Sequence, residues 1–268
     1  AASPWYLLPR LEIERTPIDV YSEMPSEKHP YGRYIREQQT ADVALGYEFG
    51  RVGTADVFAG WVRYKTREDI GEDLGGYGLH APFVGASLSV DTLDNVNFPR
   101  RGVNFTADVR RLFHESESGS VTGNLTDTVW ETSLNVPAAF DKNWSGLLSA
   151  RLGEATIPGY FRLGGAFNLT GTPEGRFTGD RIAVGRLMLM RKIFPGLAEA
   201  GIAAYAGVTY EAGRAFNHTS GFSNHKSDWH HANALFVGAD TWVGPMYLML
   251  GRTYGVGDSL MFYWGRLH

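Results

Sequence analysis

A chain of 268 residues without cysteine holds neither disulfides nor cysteine-bearing zinc sites, and a net charge of -4 with pI near 6.1 gives no electrostatic reason for a nucleic-acid partner. No run approaches the about eighteen consecutive apolar residues of a membrane-crossing helix, so a helical membrane protein is excluded. The 33 glycines and 13% aromatic content suit a chain of many strands and turns, and Ala1-Ala2 suits a mature end left after removal of a signal peptide.

From the N-terminus, segments of about ten residues alternate with period two, and about twelve of them recur between clusters of Gly, Pro, Asn and Asp. The first, 5–15, sets Leu7, Pro9, Leu11 and Ile13 against Arg10, Glu12 and Glu14. The second closes with Val43, Leu45, Tyr47 and Phe49 opposing Thr40, Asp42, Ala44 and Glu48. Further strands are predicted over 54–66, 83–91, 103–115, 121–135, 144–153, 181–192, 202–213, 229–243, 246–254 and 259–267. In the strand at 181–192 the alternation is least regular, because Arg186 shares its face with Ile182, Val184 and Met188.

Connections at 50–53, 95–102, 136–143, 195–201 and 244–245 are short to medium. They alternate with longer ones at 25–32, 67–82, 157–180 and 217–228. Long loops at one end and tight turns at the other are the pattern of an outer-membrane barrel with periplasmic turns. Trp5, Tyr6, Tyr47, Phe49, Trp61, Trp130, Trp144, Trp242, Tyr247 and Trp264 lie mostly towards strand ends, as interfacial girdles do. A soluble β-protein of about twelve strands produces the same alternation and stays open as an alternative. A barrel would close by pairing 5–15 with 259–267.

The stretch 157–180 holds six glycines, two prolines and two arginines, with Phe161 and Phe167 among them. A loop of that length is functional or disordered, and its aromatics argue against disorder. Gly164, Gly165, Gly171 and Gly175 allow close backbone approach, leaving Arg162 to reach a buried carboxylate or, on the plainer reading, solvent.

Asp91-Thr92-Leu93-Asp94-Asn95 followed by Phe98-Pro99-Arg100-Arg101-Gly102 resembles the bacterial surface antigen family, the BamA/TamA superfamily of outer-membrane barrels, and within it the barrels of patatin-like outer-membrane phospholipases. The resemblance continues at 161–171, 205–213 and 239–248. It implies an all-β, transmembrane antiparallel barrel of about twelve strands over residues 1–268, with the loop 157–180 folded into the lumen. No POTRA repeat or patatin domain is expected, and no G-x-S-x-G occurs, so the chain looks like the short branch without N-terminal domains, sometimes called noNterm. In the family an Arg on the loop pairs with an acidic residue on a later strand. Arg162, ahead of Leu163, Gly164, Gly165 and Gly171, takes the loop position. Glu211 matches the partner, with Asp240 as second candidate, and alternation also puts both on polar strand faces.

The remaining chemistry is weak. His225, His230 and His231 lie beside Asp228, but adjacent strand residues face opposite ways, so loop solvation is favoured over a metal. Asp91 and Asp94 read as turn caps, and Arg100 and Arg101 as a periplasmic rim. Arg10, Glu12, Asp42, Glu48, Asp108, Arg110, Arg151 and Glu211 give the polar faces mixed charge, which points to pairing more than to an ion filter. The expected protein is not an enzyme and needs no cofactor. It sits in the bacterial outer membrane among bilayer lipid and lipopolysaccharide, with homodimerisation suggested by the patatin-linked relatives. Its role is membrane biogenesis or transport of protein, lipid or small solutes; the alternatives are a narrow solute pore, a membrane anchor and a bilayer-perturbing assembly barrel.

Overall fold

The computed structural model describes residues 3–20, 30, 32–70, 78–115, 124–157, 159–197, 202–217 and 228–266. Every regular element among them is a strand. In chain order these are β1 (Trp5–Val20), β2 (Gly32–Glu48), β3 (Gly53–Ile70), β4 (Gly78–Asp91), β5 (Asn104–Glu115), β6 (Asn124–Ala139) and β7 (Trp144–Ala155). Then come β8 (Phe161–Leu163), β9 (Phe177–Gly179), β10 (Arg181–Leu197), β11 (Ile202–Phe216), β12 (His230–Thr241), β13 (Gly244–Thr253) and β14 (Gly257–Trp264). Twelve form one sheet in the order β1-β2-β3-β4-β5-β6-β7-β10-β11-β12-β13-β14, while β8 and β9 pair only with each other.

Neighbours in the sheet are chain neighbours, so each connection is a hairpin except the one from β7 to β10, which carries the small β8–β9 ribbon. The expected strands all appear. Several are longer than alternation alone indicated: β3 runs to Ile70 and β4 starts at Gly78, so the connection expected over 67–82 is mostly strand. Thr66, Arg67 and Glu68 stay in register with Arg36, Ile35 and Tyr34. Polar residues at a strand end blur the apolar period without breaking the hydrogen-bond ladder. At the two ends of this order β1 pairs with β2 and β14 with β13.

The chain divides into two compact units, one of residues 1–89, 107–131 and 155–157, the other of 90–106, 132–154 and 158–268. In the first, Leu7, Leu11, Ile13, Val43, Val57 and Trp61 stand exposed on one sheet face. The opposite face carries charge held in pairs. Arg10 bonds Asp42, its register partner, at 2.7 Å and lies over the Phe58 ring at 4.7 Å, while Arg110 bonds Asp108 at 2.9 Å and approaches the same ring at 5.7 Å. In the second unit Leu187, Leu189, Val208, Leu235, Leu248, Leu250 and Phe262 are exposed on one face. Its other face is also largely apolar and is buried: Leu147, Met188, Met190, Phe236, Tyr247 and Met249 pack around Phe98 and Phe167. An apolar face left uncovered across many strands fits lipid, since water would leave it as an adhesive patch.

Candidate functional site

The site is the buried face of the second unit and the loop that covers it. After β7 the chain turns into the β8–β9 ribbon, in which Phe161, Arg162 and Leu163 face Gly179, Thr178 and Phe177. Between them the tip is fastened to itself: Gly165 N–H donates to Thr172 O at 2.9 Å, Thr172 N–H to Leu169 O at 3.0 Å, and Arg176 N–H to Pro173 O at 3.3 Å. Leu163, Leu169, Thr170 and Thr172 are wholly buried. Gly171 has φ +118° and lies so near Thr253 N that a Cβ there would collide with the β13 backbone. Phe167 and Leu169 also take positive φ, 59° and 71°, which costs about 1–2 kcal/mol for each non-glycine residue. The surrounding contacts supply that.

Two strand residues hold the tip. Glu211 of β11 has no exposed surface and accepts hydrogen bonds from Thr170 N (2.7 Å), Thr170 Oγ1 (2.9 Å) and Thr209 Oγ1 (2.8 Å). A carboxylate so deep is tolerable because donors surround it. Arg186 of β10, also buried, donates to Phe167 O at 3.1 Å and to Ser149 Oγ at 3.0 Å, and its guanidinium lies 5.3 Å from the Phe167 ring centroid. Register makes Arg186 and Glu211 direct cross-strand partners. Each bonds the loop and one neighbouring strand residue, Arg186 reaching Phe167 and Ser149, Glu211 accepting from Thr170 and Thr209. The loop tip is wedged against two opposite charges that face each other across the ladder.

This differs from the anchor expected of Arg162. That residue sits on β8 with its guanidinium packed against Gly175, where a Cβ would overlap it, while Glu211 is served by Thr170 and Thr209. Arg162 and Glu211 are therefore not partners here. With Leu163 buried at 0% exposure, the ribbon turns Leu163 towards Gly213 on β11 and Arg162 across the ribbon. Strand alternation permits only one of two adjacent residues to face the sheet. Asp240 holds a different segment: it accepts from Asn97 Nδ2 at 2.7 Å.

Asn97 belongs to the turn between β4 and β5, which also enters this face. Asp94 Oδ1 accepts from the amides of Arg100 (2.8 Å) and Arg101 (3.1 Å), Asp91 Oδ1 from Leu93 N (3.0 Å), and Asn95 Oδ1 from Phe98 N (2.9 Å). Gly102, at φ +97°, lies where a Cβ would strike Thr92. So tied, the turn drives Phe98 inward, stacked on Tyr205 at 4.0 Å with Pro99 buried beside it. Arg100 reaches the carbonyls of Lys142 (2.8 Å) and Asp141 on the next turn. His230 stacks on Phe177 at 3.9 Å and His231 Nδ1 bonds Tyr210 Oη at 2.8 Å, on opposite faces. His225, Leu267 and His268 lie outside the described residues.

Arg186 was visible in the sequence as the irregular member of an apolar face, but its partner was not. The register of β10 on β11, which alternation does not fix, was needed to set it opposite Glu211. Thr170, which bonds Glu211, carries no signal that distinguishes it from its neighbours in the loop.

No protein-family model matches the chain, and no curated protein matches it. Among solved structures it is similar to BamA from Haemophilus ducreyi lacking POTRA domains 1–3, at TM-score 0.67 and 12% identity, over 96% of this chain and 58% of that one. It also aligns with the β-domain of the Bordetella autotransporter BrkA, at TM-score 0.36 and 14% identity, over 96% of this chain and 94% of that one. The chain thus spans a little over half of the BamA structure it matches. At such identity the likeness speaks of fold alone, and the fold is that of a transmembrane antiparallel β-barrel with a long inserted loop.

Proposed function

We propose that the protein is a bacterial outer-membrane barrel that acts in membrane biogenesis by locally disturbing the bilayer. In this reading it is kin to the barrels of patatin-like phospholipases but has no enzymatic role, and its partners are the bilayer and outer-leaflet lipid, including lipopolysaccharide. The observation that carries the proposal is the uneven height of the apolar outer face. On β1 the exposed apolar residues run from Trp5 to Ile13, roughly 27 Å of strand at about 3.4 Å per residue, which suits the about 25 Å band of such barrels. On β14 they run only from Leu260 to Trp264, roughly 14 Å. There they stop at a row in which Tyr210, Asn233, Arg252 and Asp258 are register neighbours, with Arg252 paired to Asp258 at 2.6 Å. Lipid beside so short a band must thin or tilt, at fractions of a kcal/mol per Å of mismatch.

The test is insertion of a small, urea-unfolded outer-membrane barrel into vesicles that already hold the protein. Insertion several-fold faster than into empty vesicles is expected, and the gain should shrink when Arg252→Leu and Asp258→Leu together extend the band. No acceleration, or acceleration indifferent to that double variant, defeats the proposal. A resting pore is disfavoured by the packing of the loop: planar-bilayer recordings should be silent with the intact chain, and deletion of residues 159–175 should open conductance.

A further inference from the structure

The two segments that enter the buried face of the second unit come from opposite ends of its strands. Three strands, β5, β6 and β7, separate the 92–103 turn from the 157–180 loop, and each reverses direction, so turn and loop belong to opposite sides of a membrane the strands cross. Inside, both stop at the same side chain. Tyr247 of β13 is 1% exposed. Its ring meets Phe98 of the turn at 5.4 Å and the edge of Phe167 of the loop at 4.9 Å, and its hydroxyl donates to Asn97 O at 3.4 Å. Gly238 on β12 leaves just enough room: a Cβ there would press on Tyr247 at 2.9 Å and on Phe98 at 3.1 Å.

We propose that Tyr247 couples the turn to the loop, so that freeing the turn at one membrane face loosens the docked loop reaching in from the other. The turn is anchored by Asn97 to Asp240 on β12, by the Phe98–Tyr205 stack on β11 and by Arg100 to the carbonyls of Lys142 and Asp141, all of them partners outside the loop. When they give way, Phe98 and Asn97 O withdraw from Tyr247, and the ring follows into the vacated space because close-packed interiors do not hold voids of that size. Phe167 then loses its edge contact. Since Phe167 is held in a positive-φ conformation only by its surroundings, that loss falls on the strained part of the loop. A partner or lipid that engages the turn is thereby felt at the loop.

The chain has no cysteine, so a single thiol reports cleanly. Thr172 is fully buried and its hydroxyl has no hydrogen-bond partner among the described residues, which makes Thr172→Cys a mild substitution. Its labelling rate by a membrane-impermeant maleimide, in the full chain reconstituted in vesicles, follows the undocked fraction of the loop. Asn97→Ala and Asp240→Ala, each of which removes one side of the Asn97–Asp240 bond, should each raise that rate about threefold or more. In a Tyr247→Leu background the basal rate should be higher and neither change should raise it further, while Tyr247→Phe, which keeps the ring, should preserve most of the response. A second reporter, Thr40→Cys on β2, should stay protected throughout. The proposal is overturned if both turn variants leave Thr172→Cys labelling unchanged, if their effect persists undiminished with Tyr247→Leu, or if Thr40→Cys labelling rises in parallel and reveals general unfolding.

Discussion

Replacing Arg186 by Met tests the wedge most directly. The side chain makes one charge-assisted hydrogen bond to the loop, to Phe167 O, of about 1.5–3 kcal/mol. It also makes a desolvated cation–π contact with the Phe167 ring, of about 2 kcal/mol. Together these put about 3–5 kcal/mol behind docking. The change further leaves Glu211 without the opposite charge across the ladder, and breaking a buried arrangement by removing one member costs more than replacing both with apolar groups. At about 1.4 kcal/mol per tenfold, hydrogen exchange over residues 161–179 should accelerate more than about a hundredfold, with strand amides of β12 little changed. Arg186→Met combined with Glu211→Leu should cost less than the two singles summed. The same measurement on Arg162→Ala separates the two candidate anchors, and that variant should loosen only the β8–β9 ribbon. Wild-type exchange in Arg186→Met, or a larger effect from Arg162→Ala, would refute the wedge.

Two further outcomes are expected. Gly171→Ala should undock the loop tip as thoroughly as Arg186→Met, because both its φ of +118° and its contact with the Thr253 backbone exclude a Cβ; Gly159→Ala, with open space around it, should show only the cost of its positive φ in protease access to the loop. The Asp141 carboxylate, in the turn after β6, is held below the ordinary carboxylate range by the amides of Trp144 and Asn143, with the Arg100 charge assisting. A depressed folded pKa contributes stability that is present above the unfolded value of about 3.9 and is lost as pH falls through the folded one. The Trp144 amide shift should therefore titrate below about pH 3.9, and Asp141→Asn should abolish that titration while keeping the turn.

Period-two alternation located the first strands of the sheet, because a strand between lipid and a polar interior must alternate to satisfy both, and β-rich apolar runs bounded by turn residues located the later ones. Alternation failed at strand ends. Beyond Arg15 on β1 and Thr66 on β3 the residues are mixed, yet Thr16 to Val20 still pair with Arg36 to Gly32. There the hydrogen-bond ladder continues without a solvent boundary to impress a pattern on the side chains. The loop was legible as an ordered insertion from its glycines and aromatics, and Glu211 as an inward carboxylate from its strand face. Who binds Glu211 was not legible, because the answer depends on which of Arg162 and Leu163 the ribbon turns towards the sheet.

A stronger clue lay in the strands themselves. Around Leu187-Met188-Leu189-Met190 in β10, Ala234-Leu235-Phe236-Val237 in β12 and Tyr247-Leu248-Met249-Leu250 in β13 alternation disappears, since both faces are apolar. Such continuous runs belong to strands covered on both sides. Lipid can cover one side only, so the other must be covered by the chain itself. The two segments with the aromatics to do so are the turn bearing Phe98 and the loop bearing Phe167. On β1 and β2 the second face is instead charged, with Arg10 paired to Asp42, and needs no such cover. The change from polar to apolar inner faces between the first strands and the last thus dictates where the loop must lie. It also explains why the two charges it covers, Arg186 and Glu211, are affordable there only with the loop's Phe167 and Thr170 in place to bond them.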